Sequence, residues 1–302
     1  MTARIGFVGL GNMGGRIARR IVDGHREVSG FDLSPAAAQA AGAVAAGTVA
    51  EVVASSDIVF MSLPDSRVVE RVVLGDGGLA ESVRDGQVVV DLSTAAPEST
   101  RRIAERLADS GASYLDAGVS GGAAAAEKGA LTLMVGGDAD ALQTVRPVLE
   151  LFATQIFLIG PSGAGHTTKL LNNFLNAVAL AATAETMVAA KAAGLDLATV
   201  LDVFNVSSGV NFATLNRFPR IITGDYLEGG LSNSLMLKDV TLYVELLGQL
   251  GVASLNSAGP IASFGLARAL GYADSISNTV VDALGDISGG IRLADTKKEG
   301  SR

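Results

Sequence analysis

The feature that most constrains this chain is the glycine pattern that follows its first apolar run. Residues 5–8 read Ile-Gly-Phe-Val, and the next six residues form a G-x-G-x-x-G pattern: Gly9, Leu10, Gly11, Asn12, Met13 and Gly14. A helical pattern covers residues 16–22, and a second apolar run over 27–31 ends at Asp32. Strand, glycine loop, helix, strand and acid in this order predict the first β-α-β unit of a dinucleotide-binding Rossmann fold.

Each glycine has a separate physical role in such a loop. Gly9 permits the tight turn, Gly11 lets the backbone approach a pyrophosphate, and Gly14 lets the helix pack close to the strand. The helix N-terminus presents unpaired N–H groups to the anion. The alternative, a glycine-rich turn without a ligand, does not account for the strand, helix and acid around it. We therefore predict cofactor contacts from all six residues of the loop.

Asp32 predicts which dinucleotide binds. A carboxylate at the end of the second strand accepts hydrogen bonds from ribose hydroxyls and repels a 2′-phosphate. The residues that follow, Leu33, Ser34 and Pro35, contain no arginine. We therefore expect NAD as the cofactor, with NADP less favoured. The alternative role of Asp32, capping the next helix, fits Ser34 before Pro35 better.

Strand and helix patterns alternate up to about residue 160. Apolar runs predict five further strands: 56–62, 87–92, 113–117, 131–136 and 155–160. Helical patterns lie between most of them, notably at 98–109 and 139–152. This alternation is typical of an α/β doubly wound sheet of Rossmann type, in which ligands bind at the carboxyl ends of the strands. Candidate cofactor or substrate contacts, which ordinary turn chemistry would also explain, are Leu63, Pro64, Thr94, Ser120, Gly121 and Gly122.

From Gly163 onward the strand patterns vanish. Four helical patterns follow: 164–193, 197–206, 235–249 and 258–270. We predict a Rossmann domain over 1–162, an all-helical domain over 163–295 that begins with a long interdomain helix, and a flexible tail over 296–302. Helices that are apolar over most of their circumference need partners. We therefore expect a homodimer or homotetramer formed through the helical domain.

Composition argues against several classes of function. The chain has 302 residues and a net charge of −8, whereas nucleic acids and anionic membranes require a basic surface. It contains no cysteine and only two histidines, far apart, so neither thiol chemistry nor a metal site is indicated. The N-terminus shows no signal-peptide pattern, and Glu185 and Lys191 interrupt the most apolar helix. We expect a cytoplasmic protein with no membrane, nucleic-acid or metal partner.

The stretch from Gly163 to Asn173 opens the long helix and supplies the catalytic candidate. Lys169, Asn172 and Asn173 share one helical face by their spacing. Burial among the apolar neighbours would lower the pKa of the Lys169 amine toward neutrality, where a lysine can give and take protons. The alternative is a surface lysine on an amphipathic helix.

Four ordered blocks resemble the β-hydroxyacid dehydrogenase family, whose members include 3-hydroxyisobutyrate dehydrogenase, tartronate semialdehyde reductase and relatives of 6-phosphogluconate dehydrogenase. The blocks are 6–14, 116–122, 163–173 and 238–239. The resemblance implies that Lys169 is the catalytic acid/base. It also implies roles for further residues: the substrate carboxylate on Ser120, Gly121 and Gly122, substrate contact from Asn173, and cofactor contact from Leu63, Pro64, Thr94 and Lys238.

The implied reaction is oxidation of the C3 hydroxyl of a small β-hydroxy acid to a semialdehyde or ketone, or the reverse reduction. Two departures from the family pattern lie beside the substrate loop, because Gly118 stands where the family has proline and Ala123–Ala126 replace a glycine-containing stretch. They leave the identity of the substrate open. The alternatives are an imine reductase, which generally lacks this lysine, and a dinucleotide-binding module without turnover. His166 is the alternative acid/base.

Overall fold

The computed structural model describes residues 3–24, 26–227 and 230–294. The chain divides into two units, Met1–Leu170 and Leu171–Arg302, and the division falls inside one long helix. The tail that the sequence predicts over 296–302 lies outside the described residues.

The first unit is built on one mixed sheet. Its strands are β1 (Ile5–Val8), β2 (Val28–Phe31), β3 (Val44–Ala45), β4 (Ile58–Met61), β5 (Val88–Asp91), β6 (Ser113–Ser120), β7 (Leu131–Gly136) and β8 (Ala153–Gly160). Their order in the sheet is β3-β2-β1-β4-β5-β6-β7-β8. Neighbouring strands run parallel except β6 and β7, which are antiparallel. The order reverses at β1, so the carboxyl ends of β1 and β4 flank the switch point where such folds bind ligands.

Helices connect these strands. They are α1 (Asn12–Asp23), α2 (Pro35–Ala41), α3 (Val49–Ser55), α4 (Ser66–Leu74), α5 (Leu79–Ser82), α6 (Pro97–Ala108), α7 (Gly122–Lys128) and α8 (Ala139–Leu149). Every residue of β1, β4 and β5 is buried. This explains why these strands are apolar apart from Asp91 at the end of β5, because sheets covered on both faces need no polar alternation.

The second unit is helical. Its core packs α10 (Leu197–Asn205), α11 (Phe212–Asn216), α12 (Phe218–Ile221), α13 (Asn233–Leu250), α14 (Ala258–Ala267) and α15 (Val280–Ile287) around the later turns of α9 (Ala164–Ala192). Phe174 of α9 stacks on Tyr243 of α13, with ring centroids 3.8 Å apart. None of the described helices is both long enough and apolar enough to cross a membrane.

The predicted fold class is confirmed: a Rossmann-type doubly wound sheet is followed by a helical C-terminal region. The main difference concerns β6, which the sequence predicts to end at Ala117. The strand continues to Ser120 because it pairs in an antiparallel ladder with β7, up to the partners Ser120 and Thr132. The residues after it, which the sequence leaves as a loop, form α7 from Gly122.

Candidate active site

The glycine loop between β1 and α1 shows why two of its three glycines are required and leaves open backbone at the third. Gly9 has φ +88°, and a Cβ there would lie 2.4 Å from the carbonyl oxygen of Ser62. A Cβ on Gly14 would lie 1.9 Å from the carbonyl oxygen of Gly9. Gly11 is different, because no atom of the described residues outside its own stretch of backbone lies within 4 Å of the position that its Cβ would occupy. The open backbone at Gly11, beside the N-terminus of α1, fits a pyrophosphate group.

Asp32 connects this loop to the end of β2. Its Oδ2 accepts a hydrogen bond from the backbone N–H of Leu10 at 2.7 Å, and its Oδ1 accepts one from Ser34 N–H at 2.9 Å. Each carboxylate oxygen has a second lone pair. The side chain therefore stabilises the glycine loop and keeps acceptor capacity for ribose hydroxyls.

A series of buried hydrogen bonds orders the loops after β4 and β5. Tyr114 donates to Asp91 Oδ2 at 2.7 Å, Asp91 Oδ1 accepts from Ser93 N–H at 2.9 Å, and Ser93 Oγ accepts from Leu63 N–H at 2.9 Å. Burial, together with the charge of Asp91, raises the pKa of the Tyr114 phenol well above its usual value, so the phenol remains a donor. These hydrogen bonds fix the backbone of Leu63 and of Ser93, the residue before Thr94. The prediction from sequence missed the residues of this series, although an acid inside an apolar strand was a visible indication.

Asp116 of β6 binds the beginning of α9. Its side chain is fully buried, and its Oδ1 and Oδ2 accept hydrogen bonds from the backbone N–H groups of Gly163 and His166, both at 2.7 Å. A carboxylate at the N-terminus of a helix satisfies unpaired N–H groups and complements the helix dipole. Asp116 therefore fixes the start of α9 on the sheet.

Lys169 lies one turn further along α9 and is partly buried. Its side-chain stem lies against β6 at Gly118. A Cβ added to Gly118 would be 2.6 Å from Lys169 Cβ and 3.2 Å from Lys169 Cγ. Ser120 follows Gly118 by two residues and therefore projects from the same face of the strand. Gly121 and Gly122, at φ +125° and +69°, then turn the chain into α7. The first unit thus brings the catalytic candidate to the strand that ends in the predicted carboxylate loop.

His166, the alternative acid/base, has no exposed surface. Its Nδ1 lies 2.7 Å from Thr100 Oγ1 of α6, which also donates to the carbonyl oxygen of Ala96 at 3.1 Å. These contacts are those of a core histidine between α9 and α6. They favour Lys169 over His166 as the group that meets a substrate.

In the second unit, a buried carboxylate joins two predicted site residues. Asn173 of α9 donates to Asp239 Oδ2, and the Lys238 ammonium lies 3.1 Å from Asp239 Oδ1. Asp239 is 1% exposed. Among the described residues its Oδ1 accepts no hydrogen bond, although the Lys238 ammonium lies within ion-pair distance. The contact is therefore mainly electrostatic. Asp239 orients Asn173 and Lys238, and the sequence analysis assigned it no role.

The described residues contain no group of three acidic or histidine side chains that could bind a metal ion.

Comparison with known proteins gives matches along nearly the whole chain. Residues 4–160 match the family model described as the NAD binding domain of 6-phosphogluconate dehydrogenase, and residues 163–282 match the one described as NAD-binding of NADP-dependent 3-hydroxyisobutyrate dehydrogenase. An NAD-dependent L-serine dehydrogenase of Pseudomonas aeruginosa is 40% identical, with 80% of this chain and 84% of that protein covered. A 2-(hydroxymethyl)glutarate dehydrogenase of Eubacterium barkeri is 37% identical, with 80% and 81% covered.

A solved structure is similar over almost its full length. It is Mycobacterium tuberculosis 3-hydroxyisobutyrate dehydrogenase with L-serine, at a TM-score of 0.83 and 30% identity. The match covers 94% of this chain and 99% of that chain.

Proposed function

This chain belongs to the β-hydroxyacid dehydrogenase family of NAD(P)-dependent oxidoreductases, and we propose that it oxidises the C3 hydroxyl of a small β-hydroxy acid with NAD, or catalyses the reverse reduction. The observation that carries the proposal is the contact of the Lys169 stem with Gly118, two residues before Ser120. This contact supports the proposal because Lys169, the proposed proton-transfer group, lies against the strand that leads into the proposed carboxylate loop. Proton transfer and carboxylate binding are the two tasks that the protein itself must perform in this reaction.

The relatives suggest a narrower substrate class. L-Serine, 3-hydroxyisobutyrate and 2-(hydroxymethyl)glutarate, which appear in their names, all have a hydroxymethyl group on the carbon next to a carboxylate. They differ only in the third substituent on that carbon: an ammonium, a methyl or a carboxyethyl group. We propose that this chain acts on the same carboxylate and hydroxymethyl pair, and that the third substituent determines specificity.

The proposed mechanism assigns a separate task to each predicted site residue. Ser120 and the backbone N–H groups of Gly121 and Gly122 bind the substrate carboxylate. Lys169, as a neutral amine, takes the hydroxyl proton during oxidation, and as an ammonium it returns that proton to the developing alkoxide during reduction. Asn173, oriented by Asp239, binds the substrate by its amide.

A bound nicotinamide cofactor would supply the hydride acceptor for oxidation and the hydride donor for reduction. The loop from Gly9 to Gly14 would bind the pyrophosphate, and Asp32 the adenosine ribose. Leu63, Pro64, Thr94 and Lys238 are further proposed cofactor contacts. The helix that follows the proposed substrate loop, α7, is connected to α1 by an ion pair between Glu127 and Arg16, with Oε1 and Nε 2.7 Å apart.

The proposed reaction is tested by following NADH absorbance with a panel of substrates. The panel contains L-serine, 3-hydroxyisobutyrate, 2-(hydroxymethyl)glutarate and lactate, a 2-hydroxy acid without the hydroxymethyl group. Turnover of the first three compounds in preference to lactate supports the proposal. Turnover of a cyclic imine alone, with NADPH, would identify an imine reductase, and NADH binding without any turnover would identify a binding module.

Cofactor preference is expected to depend on Asp32. Repulsion between its carboxylate and a 2′-phosphate should favour NAD over NADP by more than about tenfold, equivalent to about 1.4 kcal/mol. Asp32→Ala combined with Leu33→Arg should move the preference toward NADP. Asp32→Asn is the matched control, because it removes the charge and keeps an acceptor for Leu10 N–H. Equal kcat/KM values for the two cofactors in the wild type would contradict this assignment.

Self-association through the helical unit is also expected. Its surface exposes large apolar side chains, including Val206 at 87%, Leu255 at 86% and Leu175 at 68%. Contact between copies would remove such apolar surface from water at about 25 cal/mol per Å². Light scattering at micromolar concentration should therefore give two or four times the monomer mass, and the monomer mass would contradict the proposal.

A further inference from the structure

The first turns of α9 lie directly on the backbone of β6 and β7, because Gly165 of the helix faces Gly136 of β7 there. A Cβ on Gly165 would lie 2.3 Å from the carbonyl oxygen of Met134 and 2.4 Å from that of Asp116. A Cβ on Gly136 would lie 2.8 Å from the backbone nitrogen of Gly165. Real Cβ atoms do not approach other atoms so closely. The helix therefore approaches the sheet as closely as backbone atoms permit.

Asp116 prevents the helix from sliding along this contact. Its two carboxylate oxygens bind two N–H groups of the same helix end, those of Gly163 and His166. A shift of α9 along its axis would break at least one of these charge-assisted hydrogen bonds inside the core, where an unpaired group is costly. The position of the helix along β6 is therefore defined at its first turn.

The next contact along the helix is the one between Lys169 and Gly118. Four helical residues advance about 6 Å, and two strand residues advance about 6.6 Å. The step from Gly165 to Lys169 on α9 therefore matches the step from Asp116 to Gly118 on β6. The same strand step from Gly118 leads to Ser120.

We propose that Gly118, which stands where the family has proline, is a positioning residue for Lys169: in this chain the absence of a side chain lets the lysine stem lie closer to β6 than a Cβ would permit, and so sets the distance of its amine from Ser120. This inference rests on the proposed function, in which Lys169 transfers the proton. Gly118 itself touches neither the proton nor the substrate carboxylate in this proposal. Its effect on the reaction passes through the lysine.

Gly118→Ala is the direct test. The new methyl group would start 2.6 Å from Lys169 Cβ, so the stem must move by about 1 Å to reach ordinary contact. A misplacement of about 1 Å can cost about 100-fold in rate. We expect kcat to fall by about that factor with the better of two probes, L-serine or 3-hydroxyisobutyrate. The solvent deuterium isotope effect on kcat should rise, because proton transfer becomes slower than the other steps.

Binding should respond much less than turnover. NADH affinity should stay within about twofold of the wild type, since substitutions at separated sites act almost independently. The KM of the hydroxy acid should also change little, because the N–H groups of Gly121 and Gly122 are unaltered. A fall in kcat at constant KM distinguishes a displaced lysine from a general loss of structure.

Gly78→Ala is the matched control. Its Cβ would lie 2.6 Å from the carbonyl oxygen of Gly75, as close as the contact at Gly118, but in the connection between α4 and α5. It should lower the melting temperature as Gly118→Ala does and leave kcat at the wild-type value. An equal loss of kcat in both variants, or none in Gly118→Ala, would overturn the inference.

A double variant keeps the test decisive if Gly118→Ala does not fold. Lys169→Gly removes the Cβ that the new methyl group would meet, so the pair Gly118→Ala and Lys169→Gly should regain folding. A double variant as unstable as Gly118→Ala alone would overturn the proposed contact.

Lys169→Ala separates the two proposals: if it keeps normal turnover, the function assigned to the lysine fails. If it loses turnover while Gly118→Ala does not, only the positioning role fails.

Discussion

Lys169→Ala is expected to lower turnover by about 10²–10⁴-fold, the usual contribution of general acid–base catalysis. NADH affinity, measured by fluorescence, should change little, because the glycine loop and Asp32 are separate from the lysine in the first unit. Lys169→Arg should also fail, since a guanidinium does not deprotonate at working pH. Lys191→Ala is the matched control, because Lys191 lies near the other end of the same helix and should be replaceable without loss of activity.

The pH dependence gives this prediction a second measurement. In the oxidation direction the neutral amine takes the proton, so the rate should rise with pH until Lys169 is deprotonated. The Lys169→Ala variant should lose this dependence together with its turnover. A Lys169→Arg enzyme with near-normal turnover and an unchanged pH profile would show the assignment to be wrong. His166 would then be the next candidate, in spite of its burial.

Gly14→Ala and Gly11→Ala are both expected to weaken cofactor binding strongly, for different reasons. At Gly14 the new Cβ would lie 1.9 Å from Gly9 O, so α1 must move off β1. Both stability and binding should fall. Loss of two or more charge-assisted hydrogen bonds to the pyrophosphate, at about 1.5–3 kcal/mol each, weakens NADH binding by about 100-fold or more.

Gly11→Ala should weaken NADH binding by a similar factor and leave the melting temperature nearly unchanged. The described part of the protein has room for this Cβ, since beyond the adjoining backbone no atom lies within 4 Å of it, but a pyrophosphate on the loop would meet it. Fluorescence titration with NADH and thermal unfolding separate the two cases. A Gly11→Ala variant with wild-type affinity would show that the pyrophosphate does not approach the backbone at this residue.

The sequence alone was sufficient for those features that depend on local backbone geometry. The glycine loop, the strand before it and the helix after it follow from residue type and periodicity, because a positive φ at Gly9 and an apolar run at 5–8 are local properties. The change to helical patterns after Gly163 was predictable for the same reason. Lys169 was found by its place in a motif, and its partial burial in the structure is compatible with a role in proton transfer.

Other features depend on residues far apart in the chain, and only the tertiary structure decided them. Asp116 binds N–H groups 47 and 50 residues away, and Asp91 binds a tyrosine 23 residues away. Periodicity describes which face of an element is apolar but not which element it meets. The extension of β6 to Ser120 likewise depends on hydrogen bonds from an antiparallel neighbour, which no pattern within β6 reports.

Gly118 shows the difference most clearly. In the sequence it is a departure from the family pattern, and by residue type it would weaken a strand. In the structure, the absence of a Cβ on Gly118 lets the stem of Lys169 lie close to β6. The two residues are 51 positions apart in the chain. Sequence identified the residue that we propose transfers the proton, because that ability depends on the chemistry of the side chain. The fold determined where that side chain stands, because its position depends on the closest approach of a helix and a strand that are distant in sequence.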